Sequence, residues 1–162
     1  MIVRGARTND LPAVAAIYAD AAEHTPATFD LAGHPPAWWE GVLADTTHEF
    51  VVAADDAGVL GYARSVRHKE KPAYDSTCEV SVYVAEAARG RGVGHALLAE
   101  LLDRLARSPR LLAVAGIALP NEASERLHRA HGFTPVGVFH SVGVKFGREW
   151  DVRWYERPLR RR

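Results

Sequence analysis

Thr77-Cys78-Glu79-Val80-Ser81-Val82-Tyr83-Val84-Ala85 is the stretch on which the reading of this chain turns. Cys78, Val80, Val82 and Val84 alternate with Glu79, Ser81 and Tyr83, the period of two that sends successive side chains to opposite faces of a strand. One face is apolar and the other can carry chemistry. Shortly after it comes a glycine-rich turn, Arg89-Gly90-Arg91-Gly92-Val93-Gly94. Val93, Leu97, Leu98, Leu101, Leu102 and Leu105 then fall along one side of a helix. A helix N-terminus carries unpaired N–H groups and about half a positive charge, and glycines let backbone approach an anion closely. The same turn also suits a sharp connection that binds nothing.

Working outward, the chain alternates strand and helix with no repeat and no low-complexity linker. Residues 1–7 read as a strand, and Thr8-Asn9-Asp10 offers caps for a helix carrying Leu11, Val14, Ile17, Tyr18 and Ala21. Residues 24–34 read as a loop, and Pro35-Pro36 opens a short helix through Leu43. Glu49–Asp55 and Val59–Val66 form a hairpin around Asp56-Ala57-Gly58. Beyond the leucine helix, Leu111–Ala118 is an apolar run of strand length, consistent with burial on both faces. A helix over Asn121–His131 follows, capped by Asn121 and stopped at Gly132. Two strands, 134–144 and 149–158, are joined near Phe146-Gly147-Arg148, and Arg160-Arg161-Arg162 reads as a frayed end. The expectation is one α/β domain over residues 1–162, built on a mixed sheet.

Composition narrows the function. The chain has 162 residues, enough for one ordinary domain with a real core. Twenty Lys plus Arg balance twenty Asp plus Glu, which argues against nucleic-acid and membrane-surface partners that need a basic excess. The single cysteine, Cys78, leaves no intramolecular disulfide and reads as an inert buried thiol. No apolar run is long enough for a signal peptide or a membrane span, so the expected address is the cytoplasm. His128 and His131 lie three apart on a helix but lack any further zinc-type arrangement, so no metal site is expected.

Nucleotide motifs fail on spacing. A P-loop needs Gly-Lys-Ser/Thr after its second glycine, and none is present. A dinucleotide fingerprint needs glycine at its sixth position, where counting from Gly90 gives His95. Arg89, Gly92 and Gly94 instead match Arg/Gln-x-x-Gly-x-Gly/Ala, and the turn resembles the pyrophosphate loop of the GNAT acetyltransferases. The likeness runs along nearly the whole chain. Thr28-Phe29-Asp30, Pro72-Ala73-Tyr74, the Glu79 strand, Asn121-Glu122-Ala123-Ser124, His128, Gly132-Phe133 and Val142–Asp151 are similar to the phosphinothricin and methionine sulfoximine N-acetyltransferase branch.

That resemblance implies a central, mostly antiparallel mixed sheet flanked by helices, and acetyl-coenzyme A as co-substrate. It implies that amides of Arg89, Gly90, Arg91, Gly92, Val93 and Gly94 hold the pyrophosphate. The segment Val82-Tyr83-Val84 would hold the pantetheine arm, and Asn121 and Ser124 would face the thiol end. It further implies acetyl transfer to the amine of a small amino-acid analogue, and a homodimer. An ammonium must lose a proton before it attacks a thioester. Glu79 is the expected base, against the alternative of a surface carboxylate paired with Lys69 or Lys71. His128 is a candidate acid for the leaving thiolate, or a helix histidine packed beneath the cofactor. Lys69 and Lys71 stand where the branch carries the arginine that holds the acidic part of its substrate, and a lysine lacks arginine's planar fork. Val80 replaces a polar residue. Phe29 and Tyr74 are expected to wall the substrate pocket, and Trp38, Trp39, Trp150 and Trp154 to serve core or interface. Acetylation of another amine (a polyamine, an aminoglycoside or a protein N-terminus) and acyl-coenzyme A binding without turnover are the competing functions.

Overall fold

In chain order the elements are β1 (Ile2–Gly5), α1 (Leu11–His24), α2 (Pro36–Ala44), β2 (Phe50–Asp55), β3 (Gly58–Arg67), β4 (Thr77–Val84), α3 (Val93–Ala106), β5 (Leu112–Ala118), α4 (Glu122–Ala130), β6 (Thr134–Lys145) and β7 (Arg148–Pro158). The computed structural model describes residues 1–160. All seven strands join one sheet in the order β1-β2-β3-β4-β5-β7-β6. Only the central β4–β5 pair is parallel; every other neighbour runs antiparallel. This is the mixed, mostly antiparallel sheet with flanking helices that the sequence implies.

Two apolar layers sandwich the sheet. Leu97, Leu98, Leu101 and Leu105 of α3 pack with Cys78, Val80, Ala113, Ala115, Ile117 and Tyr155 on one side. Leu11, Val14 and Tyr18 of α1 and Trp39 of α2 pack with Val52 and Tyr62 on the other. Tyr83 belongs to this second layer, stacked on Tyr62 with ring centroids 5.3 Å apart. The Glu79–Ser81–Tyr83 face is therefore polar only towards its Glu79 end. Cys78 is fully buried, and burial pushes its thiol up to about 11, so it is chemically quiet at neutral pH.

Ends of elements shift for local reasons. Thr8–Asp10 forms a short 3-10 turn instead of a simple cap, because Asp10 is taken by other partners. Its carboxylate accepts two bonds from the Arg4 guanidinium, at 2.7 and 2.9 Å, and one from the Arg7 N–H at 2.8 Å. Asn121 does cap α4, its Oδ1 accepting from the Ser124 N–H at 3.1 Å, and Gly132 ends that helix region at φ +81°. Of the basic tail, Arg160 donates to the Ser108 carbonyl; Arg161 and Arg162 lie outside the described residues. Among the described residues no helix is long and apolar enough to cross a membrane.

Candidate active site

β4 and β5 are paired only at Thr77–Leu112, Cys78–Ala113 and Glu79–Val114, after which they part. Both strands continue, β4 to Val84 and β5 to Ala118, so a wedge opens in the middle of the sheet. The Ala85 N–H bonds the Leu60 carbonyl. Strand alternation then turns the backbone groups of Val82 and Val84 away from β3 and into the wedge. An interior sheet position with free backbone groups asks for an extended partner, since such groups are costly to leave unpaired. The wedge opens into a cleft of about 1100 Å³ that runs from the glycine turn to Glu79.

At one end of this cleft lie Arg89, Gly90, Gly92, Gly94 and His95. Gly90 and Gly92 have φ +74° and +77°, a backbone shape that L side chains resist, and a Cβ on either would meet open space. Val93 starts α3 with its side chain in the core. The first turn of α3 thus presents its N–H groups to the cleft over an unobstructed concavity. Arg91 turns the other way, its guanidinium 3.4 Å from Asp55 on β2. Asn121, Ser124, Leu127 and His128 of the α4 region line the opposite wall.

Glu79 sits at the apex of the wedge. The alternative of a lysine pairing with it is not met: His68 Nδ1 lies 2.8 Å from its Oε1. A carboxylate only accepts, so that ring nitrogen carries the hydrogen, and the second carboxylate oxygen is left for a ligand. Opposite pairs Val66–Glu79 and Arg64–Ser81 put all four side chains on one face. Val66, Arg64, Phe29, Phe139, Val142 and Trp154 complete this end of the cleft. Trp154 is thus a site residue, not core or interface; its ring lies over Gly116, where a Cβ would come within 3.1 Å. Trp150, by contrast, is buried and donates its indole N–H to the Lys145 carbonyl.

Lys69 and Lys71 are not brought into the cleft. Both are exposed in the segment between β3 and β4, where the chain turns away from the wedge. Tyr74 is also exposed, its ring edge-on to His68 rather than facing the cleft. Phe29 does line it, and a Cβ on Gly143 would collide with the Phe29 ring, so that glycine makes the room Phe29 occupies. The loop carrying Phe29 is held by Lys145, a buried residue of β6. Its ammonium donates to the carbonyls of Thr25, Thr28 and Asp30 at 2.8, 2.8 and 2.7 Å. Burial holds this amine below its ordinary value, yet three donations use all three hydrogens of the charged form.

His128 Nδ1 lies 2.8 Å from the Ser124 carbonyl, so it is a donor and Nε2 carries the lone pair. Nε2 is buried without a partner among the described residues, and burial holds the imidazole below its ordinary value. In this state Nε2 has no proton to give. His48 and His131 are likewise depressed by burial. Each folded histidine releases its proton at lower pH than the unfolded chain does, so the unfolded state binds more protons in between. Stability should be full above histidine's ordinary 6.5 and fall as pH drops through it. Thermal melting at about pH 5.5 should give a midpoint several degrees below that at about pH 7.5. Asp10, Asp45 and Glu125 are also held below their ordinary range, but their contribution is lost only below about pH 5. A midpoint that is flat or rises on acidification to about pH 5.5 would contradict the histidine assignment.

The sequence profile of the Acetyltransferase (GNAT) family matches residues 12–133. The chain belongs to that family. It is 45% identical to phosphinothricin N-acetyltransferase of Streptomyces coelicolor, over 97% of this chain and 95% of that one. It is 38% identical to the L-methionine sulfoximine/L-methionine sulfone acetyltransferase of Pseudomonas aeruginosa, over 97% and 94%. The crystal structure of a GNAT superfamily phosphinothricin acetyltransferase from Sinorhizobium meliloti in complex with acetyl-coenzyme A superposes with a TM-score of 0.92. There the identity is 33%, covering 98% of this chain and 88% of the other.

This GNAT chain is an acetyl-coenzyme A-dependent N-acetyltransferase, and its cleft fits that co-substrate. The open concavity over Gly90 and Gly92 matches a pyrophosphate, and the free backbone of Val82 and Val84 matches the amides of a pantetheine arm. Among the described residues no group of three or more His, Cys, Asp or Glu could hold a metal ion. From sequence alone His68, Arg64 and Lys145 carry no assigned role, and Trp154 reads as core or interface. For Arg64 the signal was there in the Tyr62-Arg64-Val66 alternation, which needs only the strand register to place it beside Glu79.

Proposed function

We propose that this acetyltransferase acetylates the α-amine of a small amino acid of the phosphinothricin or methionine sulfoximine type, by direct attack with Glu79 as general base. The observation that carries the reading is the place of Glu79, at the last paired position of β4 and β5 where the wedge meets the Phe29–Trp154 pocket. Bound acetyl-coenzyme A supplies an electrophilic thioester and departs as its thiolate. Glu79 takes a proton from the ammonium, directly or through one water, while His68 keeps the carboxylate turned. Phe29, Phe139, Val142 and Trp154 give the reacting amine an apolar wall. His128 enters this reading as packing beneath Ser124. A homodimer belongs to the same proposal, supported by Val136, Phe139, Val142 and Val144 exposed on β6, an edge strand.

Thiol release from acetyl-coenzyme A with a panel of amines tests this. Phosphinothricin and methionine sulfoximine should be turned over at least about tenfold more efficiently than spermidine, an aminoglycoside or a peptide N-terminus. Preference for a polyamine would discard the amino-acid reading, and tight binding with no thiol release for any amine would reduce the chain to a binding module.

A further inference from the structure

We propose that Arg64 is the anchor for the acceptor's α-carboxylate, a specificity-determining residue for amines that carry an anion beside the reacting nitrogen. The proposal rests on the reading of the acceptor as a small amino acid and deepens it. Arg64 lies on β3 directly opposite Ser81 and one diagonal step from Glu79, on the same face. Such a step separates side chains by about 7 Å, a span that one α-amino acid can bridge with its amine at one end and its carboxylate at the other.

Among the described residues, the Arg64 guanidinium makes no hydrogen bond and no ion pair. Other arginines are committed. Arg67 pairs with Asp75 at 2.8 Å, Arg91 with Asp55 and Arg126 with Glu122. Arg89, also on the cleft, stands at the glycine turn. What holds Arg64 is aromatic: its guanidinium carbon lies 5.0 Å from the centroid of the Trp38 ring and 5.8 Å from that of Trp39. Attraction to ring faces orients a guanidinium without using its N–H donors, so the planar fork stays available. A half-buried cation with free donors gains most from a carboxylate, which accepts two parallel bonds from one fork. Lys69 and Lys71, nearest in sequence to such a role, stay outside the cleft's lining; Arg64 supplies the charge they do not.

The test compares acid and amide. In steady-state assays with methionine sulfoximine, Arg64→Gln should raise KM about tenfold to 100-fold, the loss of a charge-assisted pair, with turnover changed by less than about threefold. KM for acetyl-coenzyme A should not move, which also reports that the variant is folded. The α-carboxamide of the same substrate should be a poor acceptor for the wild-type enzyme and indifferent to the substitution. Arg64→Lys keeps the charge over Trp38 and loses the fork, so it should fall between, and it carries the test if the glutamine variant does not fold. A wild-type KM in Arg64→Gln, or equal losses for acid and amide, overturns the proposal while leaving the amino-acid reading intact. If the wild-type enzyme turns over neither methionine sulfoximine nor phosphinothricin, that reading falls first. Arg64 is then judged on the best amine found, and an accepted amine with no anionic group, unaffected by Arg64→Gln, overturns the anchor as well.

Discussion

Glu79→Gln should lower turnover by about 100-fold or more while acetyl-coenzyme A still binds. Glutamine has the size of glutamate, and its carbonyl can keep the bond from His68 Nδ1, so the ring and the strand around it have no reason to move. What is lost is the one basic oxygen at the apex of the wedge. The acceptor then has to arrive already deprotonated. Turnover of the variant should therefore climb steadily with pH towards the amine's own ionisation, where the wild-type enzyme levels off earlier. Stopped assays of thiol release across that pH range check both points. Near-normal turnover at saturating substrate and neutral pH removes Glu79 from the mechanism.

Gly92→Val should weaken coenzyme A binding on the order of 100-fold, two charge-assisted backbone bonds at roughly the usual strength. Two effects combine. Gly92 has φ +77°, and a β-branched residue resists that conformation by about 1–2 kcal/mol or more. If the turn held its shape, the new side chain would stand in space that is open in the protein itself, where the ligand's phosphates belong. No packed neighbour is struck, so the chain should fold. Calorimetric titration with coenzyme A reads the change, and an unaltered affinity in a folded variant would place the phosphates elsewhere.

Glu79 and Gly92 are legible in the sequence because their signals are local. Glu79 announces itself by alternation within one strand, and Gly92 by its place between a strand and a leucine-lined helix. Lys145 is the opposite case. Its three carbonyl partners lie 115 to 120 positions away, and nothing near residue 145 says that a lysine there is buried. Trp154 reads as core until β5 places Gly116 beneath it. Lys69 and Lys71 are a related case: the resemblance gives them a role by their position in the chain, and the chain leaves the sheet just there, between Arg67 and Thr77. Arg64, fifteen positions upstream of Glu79, lines the cleft because an antiparallel neighbour brings it back beside Ser81.

The parting of β4 and β5 turns the backbone groups of Val82 and Val84 into the cleft, and in the binding mode proposed above the strand that meets them is a metabolite. A sheet completed by a small molecule is finished only when that molecule is present. Its cohesion would therefore vary with the supply of coenzyme, acylated or free, rising with the logarithm of its free concentration over its dissociation constant. Scarcity of the coenzyme would then do more than slow the reaction. The unliganded enzyme would be the more easily opened one, so its lifetime against proteolysis should fall as the coenzyme pool does.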